Sequence, residues 1–428
     1  MADAGMAGLS GLECVTRLEL GGHSGLTDVG LAHLGKMAQL LELEVGGWKS
    51  VITDKGFGFL GDLNRLRVFK SSWTQGITDA GLRGLAASAD LEEVNLIGTH
   101  AGNGTIASLL GKEKLRKLTT GRGVTDEGIQ LLHGLPVFKK RQEFAVQFGL
   151  MSFQAEPSHL MIDGPFTDAG LVQLAGLEGL IGLSFFWHCP AFTAAGLEGL
   201  RRLPALQFLG CQDQHCDDEA MRQIAAIPAL RMLMGQGAVA GDDGFAALAK
   251  SQSLAYFWGR DAPNFSSGGF ASMADMPKLR GLAVSLKNVS REALATLPRF
   301  RSLRQLMPMD VDDEGFRHVG ECEELENLWC MYCRETGDAA TEHIGGLKKL
   351  KSYYAGSTRI TDRSLEILSK MESLEKLEFW QCAGVTDAGV ALLANLPRLR
   401  EISLDGLANV TKNVTSLFGP DVRVSYTG

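Results

Sequence analysis

Apolar residues recur along the chain in the spacing L-x-x-L-x-L, as at Leu91, Val94 and Leu96 or at Leu374, Leu377 and Phe379. The fourth and sixth positions of this pattern fall on one side of an extended segment and the third and fifth on the other, the alternation of a short strand. A second pattern, Thr-Asp-x-Gly-apolar, accompanies it at Thr27 to Leu31, Thr53 to Phe57, Thr78 to Leu82, Thr125 to Ile129, Thr167 to Leu171 and Thr386 to Val390. Degenerate copies begin at Thr193, Asp217, Gly241, Ser266, Ser290, Asp312 and Thr361. This second pattern supplies a hydroxyl or carboxylate to the free N–H groups of a helix start, where negative charge is also favourable. Apolar residues such as Leu82 and Leu85 then face the strand, and the glycine is expected to let helix and strand pack closely. Pro136, Pro204, Pro228, Pro277, Pro298 and Pro397 follow the helical stretches and are expected to stop them.

Counted from the first apolar position of each strand pattern, repeats start at 15, 40, 66, 91, 115, 157, 180, 206, 230, 254, 279, 303, 325, 350, 374 and 399, in steps of 22 to 26 residues with one step of 42. No single repeat can bury its apolar face alone, so the core exists only through stacking. The expected architecture is an α/β solenoid over 1–428, about 16 repeats long, with one insertion at 136–157. Val422, Val424 and Tyr426 read as a closing strand.

The repeat resembles the leucine-rich repeat of the cysteine-containing, ribonuclease-inhibitor-like type, found in the substrate-receptor half of F-box proteins and in many bacterial proteins. Where that family carries Cys or Asn after the strand, this chain has Cys333 and Cys382, with Cys189 one residue late and Thr99, Thr358 or His23 elsewhere. The resemblance implies a horseshoe with a parallel sheet on its concave face and helices outside. Ala2 to Leu9 already reads as the helical half of a repeat, which leaves no room for an F-box, so adaptor function is not implied.

Charge and cysteine usage narrow the functional classes. Lys and Arg number 42 against 50 Asp and Glu, a formal charge of −8 without a basic block, which argues against nucleic acid as partner. No apolar run is long enough to cross a bilayer, no positive segment precedes an apolar stretch at the start, and eight cysteines suit a reducing compartment, so a cytoplasmic protein without membrane partners is expected. The 52 glycines point to a backbone that turns often.

Candidate function lies on the third and fifth strand positions, which point away from the core and would form the inner surface of the horseshoe. In the first five repeats seven of these ten are charged: Arg17, Glu19, Glu42, Glu44, Lys70, Glu93 and Lys117. In the eight repeats starting at 180 to 350 none of the sixteen is charged. That set includes Phe208, Met232, Met234, Tyr256, Trp258, Gln305, Met307, Asn327, Trp329 and Tyr354, and position seven adds Phe186, Met309, Met331 and Trp380, with Arg260 as the lone cation. Such residue types dominate binding hot spots, and an exposed apolar surface of this extent demands a cover. The expected function is therefore a non-catalytic protein- or peptide-binding scaffold. Its competitors are a small-ligand or enzymatic site on the same surface with the 136–157 insertion as lid, and self-association through the solenoid ends. The insertion, where Phe144, Val146, Phe148 and Leu150 alternate with smaller or polar residues, reads either as a decayed repeat or as a loop packing onto the inner face or a partner.

Other chemistry is expected to be absent. Cys330 and Cys333 form a single C-x-x-C at packing positions, Cys211 points inward beside His215 and Cys216, and the acidic clusters at 217–219, 242–243 and 310–314 sit where helices start. No cofactor, metal or catalytic residue is expected; His159, on the inner face beside Ser158, is the one histidine positioned to be tested as a base.

Overall fold

A computed structural model of the chain describes residues 3–21, 25–141, 146–151, 158–186 and 189–428. His23, Phe144 and much of the 136–157 insertion lie outside the described residues. The chain divides into two compact units, the first comprising Met1–Gln147, Gln154–His215 and Ala226–Leu230, the second Phe148–Phe153, Cys216–Ala225 and Arg231–Gly428.

The first unit contains strands β1 (Arg17–Gly21), β2 (Glu42–Gly46), β3 (Val68–Lys70), β4 (Glu93–Asn95), β5 (Lys117–Thr119), β6 (His159–Ile162), β7 (Gly182–Phe185) and β8 (Phe208–Gly210). The second contains β9 (Met232–Met234), β10 (Tyr256–Gly259), β11 (Gly281–Ser285), β12 (Gln305–Met309), β13 (Asn327–Met331), β14 (Ser352–Gly356), β15 (Lys376–Trp380), β16 (Glu401–Asp405) and β17 (Arg423–Thr427). Within each unit successive strands pair in parallel, in the register of the repeat: Leu18 aligns with Leu43, and Phe257 with Leu282. Leu118 aligns with Leu160, so the insertion interrupts the sequence between β5 and β6 but not their pairing. The architecture of both units is the α/β leucine-rich repeat.

The fourth and sixth strand positions fill the core. Phe257 meets Phe245 edge-on at 5.7 Å, Phe245 meets Phe265 at 4.6 Å, and Leu306, Leu328, Tyr353 and Leu377 are buried alongside equivalents from neighbouring repeats. Each such side chain contributes about 1.5–3 kcal/mol on burial, available only because the next repeat covers it. The stretches after the Thr-Asp-x-Gly motifs are short, often a single α-helical turn continuing into 3-10 geometry, as in Asp28–Leu31 followed by Ala32–Lys36. Pro136 opens a short helix, Pro136–Lys139, at its first position rather than ending one.

Inside the motif the labour divides differently from the expected cap. The threonine caps its own helix, Thr78 Oγ accepting from the Ala80 amide at 3.2 Å. The aspartate instead reaches the following repeat: Asp54 accepts from the Thr78 amide at 2.7 Å and from Thr78 Oγ at 2.6 Å. The same pair of bonds joins Asp28 to Thr53, Asp126 to Thr167, Asp168 to Thr193, Asp362 to Thr386 and Asp387 to Thr411. The glycine serves this latch and not the strand contact: a Cβ on Gly81 would stand 2.6 Å from Asp54 Oδ1 and 2.8 Å from Asp54 Cα.

The cysteines that follow strands act likewise between repeats. Cys333 Sγ donates to the Pro308 carbonyl at 2.8 Å and Cys382 Sγ to the Ala355 carbonyl at 3.4 Å. Burial raises both thiols, Cys333 to about 11. At the end of the second unit the Tyr426 hydroxyl donates to the Val410 carbonyl at 2.9 Å and ties down β17.

Candidate functional site

In the second unit the third and fifth strand positions lie on the face opposite the helices. Parallel pairing sorts them into rows across the sheet. One row runs Met232, Tyr256, Gly281, Gln305, Asn327, Ser352, Lys376, Glu401 and Arg423. In the next, Trp258 lies between Met234 and Ala283, and Trp329, Tyr354, Glu378 and Ser403 follow one another. A third places Met331, Gly356, Trp380 and Asp405 side by side.

Exposure on this face is uneven. Tyr256, Trp258, Met232, Met307 and Met309 are buried, Trp258 being only 8% exposed. In the first unit Phe208 is also buried. Met234, Arg260, Gln305, Asn327, Trp329, Met331 and Tyr354 are half-buried, and Trp380 is exposed. The continuous exposed surface expected from Phe186 onward is thus reduced to a strip around β13–β15.

Part of the covering comes from the insertion. Its described residues Phe148–Met151 belong to the second unit, and Leu150 sits against Gly281 and Gln305 of the first row. Arg231 lies 5.5 Å over the Phe148 ring, the Leu150 amide donates to Gln305 Oε1 at 2.8 Å, and Leu150 is fully buried. Gly281 makes this possible: a Cβ there would stand 3.0 Å from Leu150 Cγ and 3.0 Å from Tyr256 Cε1. Gln305, expected to meet a partner, spends its carbonyl oxygen inside the chain.

Beyond Leu150 the face opens into two adjoining hollows. The first, ≈ 460 Å³, has Met151 as one wall and Asn327, Trp329, Met331, Ser352 and Tyr354 around it, with Lys376 and Glu378 at the far side. The second, ≈ 280 Å³, shares Met331, Tyr354 and Glu378 and adds Tyr332, Trp380, Ser403 and Asp405. Tyr354 lies flat over Gly356, where a Cβ would come within 2.8 Å of its Cζ. Desolvation, followed by the negative charge of Glu378, pushes the Tyr354 phenol up to about 12, so it stays protonated. Burial works against the charge of Lys376, yet ion pairs to Glu378 at 2.7 Å and Glu401 at 3.3 Å prevail and hold its ammonium above the ordinary lysine range.

A third hollow, ≈ 700 Å³, follows the ends of β10–β13 and is lined by charges of both signs, among them Arg260, Asp261, Arg291, Asp310 and Asp312. Arg260 pairs with Asp261 at 2.9 Å and lies 4.8 Å over the Tyr332 ring. Tyr332, Asp261 and Asp310 all adopt left-handed backbone at φ +59°, +59° and +63°, each one residue or two past its strand. This turn aims Tyr332 sideways as a wall between two hollows, which strand alternation alone does not reveal.

Elsewhere the motifs resolve into packing. Asp217 caps the Ala220 amide at 2.8 Å, Asp218 latches the Gly241 amide at 2.7 Å, and Asp313 latches Gly337 at 2.6 Å. No cluster of potential metal ligands occurs among the described residues. Cys330 is completely buried, with its thiol raised by desolvation. In the first unit His159 Nε2 meets Ser184 Oγ at 3.1 Å and its ring packs on Phe208. Charged rows there pair internally, as Lys70 with Glu93 at 2.9 Å. Also in that unit, Phe186 lies 5.8 Å from Trp73, which stacks at 4.0 Å on Trp48, 67% exposed. The sequence signal for Trp48, Trp73 and Tyr332 was their place just after a strand, outside the alternation.

No protein-family model and no curated protein matches the chain. Among solved structures, an internalin from Listeria monocytogenes is 19% identical over 76% of this chain and 83% of its own, with a TM-score of 0.41. The Rad7–Elc1 complex of yeast is 14% identical, covering 75% and 86%, with a TM-score of 0.44. A leucine-rich-repeat protein of Leptospira interrogans is 13% identical, covering 97% and 91%, with a TM-score of 0.40. The likeness to all three concerns the fold alone.

Proposed function

We propose that the chain is a non-catalytic scaffold that holds a protein or peptide against the open face of its second unit, between Met151 and Trp380. The carrying observation is the pair of hollows, ≈ 460 and ≈ 280 Å³, that share Met331, Tyr354 and Glu378. Strands stand about 4.8 Å apart, so hollows reaching from β13 to β16 extend roughly 15 Å, the length of four or five extended residues. Trp and Tyr in such a strip supply contact area at low entropic cost, and a preformed sheet adds little more. The reading takes 1–428 as one solenoid and places the protein in the cytoplasm, without nucleic-acid or membrane partners. Eight free cysteines, seven of them buried, and a formal charge of −8 support it. No helix among the described residues is long and apolar enough to cross a membrane.

The test is selection of displayed random peptides on the full chain, followed by affinity measurements on Trp329→Ala and Tyr354→Ala. Selected peptides are expected to weaken about tenfold on either variant, the loss typical of a central aromatic anchor. Peptides that bind both variants as tightly as the parent refute the reading. A second reading, a small-ligand or enzymatic site with the insertion as lid, is favoured by Met151 forming a wall of the larger hollow. It predicts an enclosed bound molecule and sharp dependence on a single polar residue. Self-association through the solenoid ends predicts a mass that falls on dilution in light scattering.

A further inference from the structure

The smaller hollow differs from the rest of the open face in chemistry. Three aromatic side chains, Tyr332, Tyr354 and Trp380, and the flexible Met331 wall it. Two carboxylates, Glu378 and Asp405, stand at its border. Aromatic faces carry negative quadrupole potential, and carboxylates add net negative charge, so the two together favour a cation that is at least partly desolvated. Tyr332 already displays this preference, with the Arg260 guanidinium 4.8 Å over its ring.

Charge bookkeeping around the hollow leaves it negative. Lys376 is shared between Glu378 and Glu401, and Arg423 also pairs with Glu401. Arg260 is matched by Asp261, and Lys351 by Glu326 at 2.7 Å. Among the described residues the Asp405 carboxylate has no ion pair, although it lies in the row with Trp380. Gly356, between Met331 and Trp380 in that row, has no side chain and so makes room for the Tyr354 ring that walls the hollow.

We propose that this hollow receives a cationic side chain, arginine or lysine, of the peptide bound along the neighbouring strip. The inference deepens the docking reading and rests on it. It assigns the partner a chemistry: an extended segment with an apolar residue against Trp329 and Met151, and a basic residue against Trp380 and Asp405.

The test uses the full chain labelled with 5-fluorotryptophan, the Trp380 resonance being assigned through Trp380→Phe. N-acetyl-argininamide, N-acetyl-lysinamide and the uncharged N-acetyl-citrullinamide are titrated in turn. The Trp380 signal is expected to move saturably with a charged probe, at least ~5-fold more weakly with citrullinamide, and Asp405→Asn is expected to weaken the charged probe ~3-fold or more. The tighter of the two charged probes identifies the preferred residue. A silent Trp380 resonance, equal responses to charged and neutral probes, or indifference to Asp405→Asn overturns the proposal. The docking reading fails separately: peptides lost on Trp329→Ala that need no basic residue would leave it standing and remove the cation site.

Discussion

The substitution Gly81→Ala tests the latch that the repeat motif builds. An added methyl would lie 2.6 Å from Asp54 Oδ1 and 2.8 Å from Asp54 Cα, where ordinary contact begins at 3.4 Å. Relief requires the carboxylate to swing away, releasing both bonds from Thr78, each worth about 1.5 kcal/mol for a charged but partly solvated acceptor, and the helix start to back off from the Asp54 backbone. Alanine returns about 1 kcal/mol through its better helix propensity. The expected net loss is therefore at least about 2 kcal/mol. Gly58→Ala is the control: an added Cβ there meets nothing within 4 Å, so the same change should gain about 0.5 kcal/mol. Stacked repeats open piecewise, so urea unfolding should be paired with hydrogen exchange over residues 53–105. Asp54→Ala should cost much less in the Gly81→Ala background than in the parent, since the bonds it removes are already gone. Equal signs at Gly81 and Gly58, or strictly additive losses, would refute the latch.

Three further outcomes follow from the same structure. Leu150→Asp should detach the Phe148–Met151 segment and raise hydroxyl-radical labelling of Tyr256, 7% exposed in the parent, severalfold; unchanged labelling would show that the segment is not the cover. Burial penalises the charges of Asp79 and Asp338, but hydrogen bonds from Thr105 and the Gly102, Thr105 and Gly104 amides, and from Ser364 and Thr361, outweigh it and hold both carboxyls below the ordinary aspartate range. A depressed folded-state value contributes stability that is present above pH ~4 and lost as pH falls further, so Asp79→Asn and Asp338→Asn should flatten the drop in urea midpoint between pH 5 and pH 3. Burial pushes Cys189 and Cys322 to about 12 and Cys333 to about 11, while Cys14 is exposed, so one thiol of eight should react promptly with a disulfide reagent at pH 8 and a second prompt thiol would contradict the packing.

The alternation within L-x-x-L-x-L was enough to say which side chains share a face, because a strand has a period of two whatever surrounds it. Phe257 and Tyr353 went to the helices and Trp258 and Tyr354 to the open side on that basis alone. The closing strand at Val424 and Tyr426 was legible for the same reason. The division of labour inside Thr-Asp-x-Gly was not, since nothing in one repeat says that its aspartate answers the threonine of the next.

The chain's own residue order determined the repeat, its register, the uncharged character of the central strands and the cysteine positions, all of them properties of local spacing. Tertiary structure decided what remained open to solvent. Leu150 is remote in sequence from Gly281 and Gln305, yet it seats on one and bonds to the other, because the stacked sheet presents a gap where glycine has no side chain. The same stacking brings Asp405 beside Trp380 and turns Tyr332 toward both through a left-handed residue. Burial and pocket geometry depend on which surfaces meet across many repeats, and that meeting is encoded only in the folded chain.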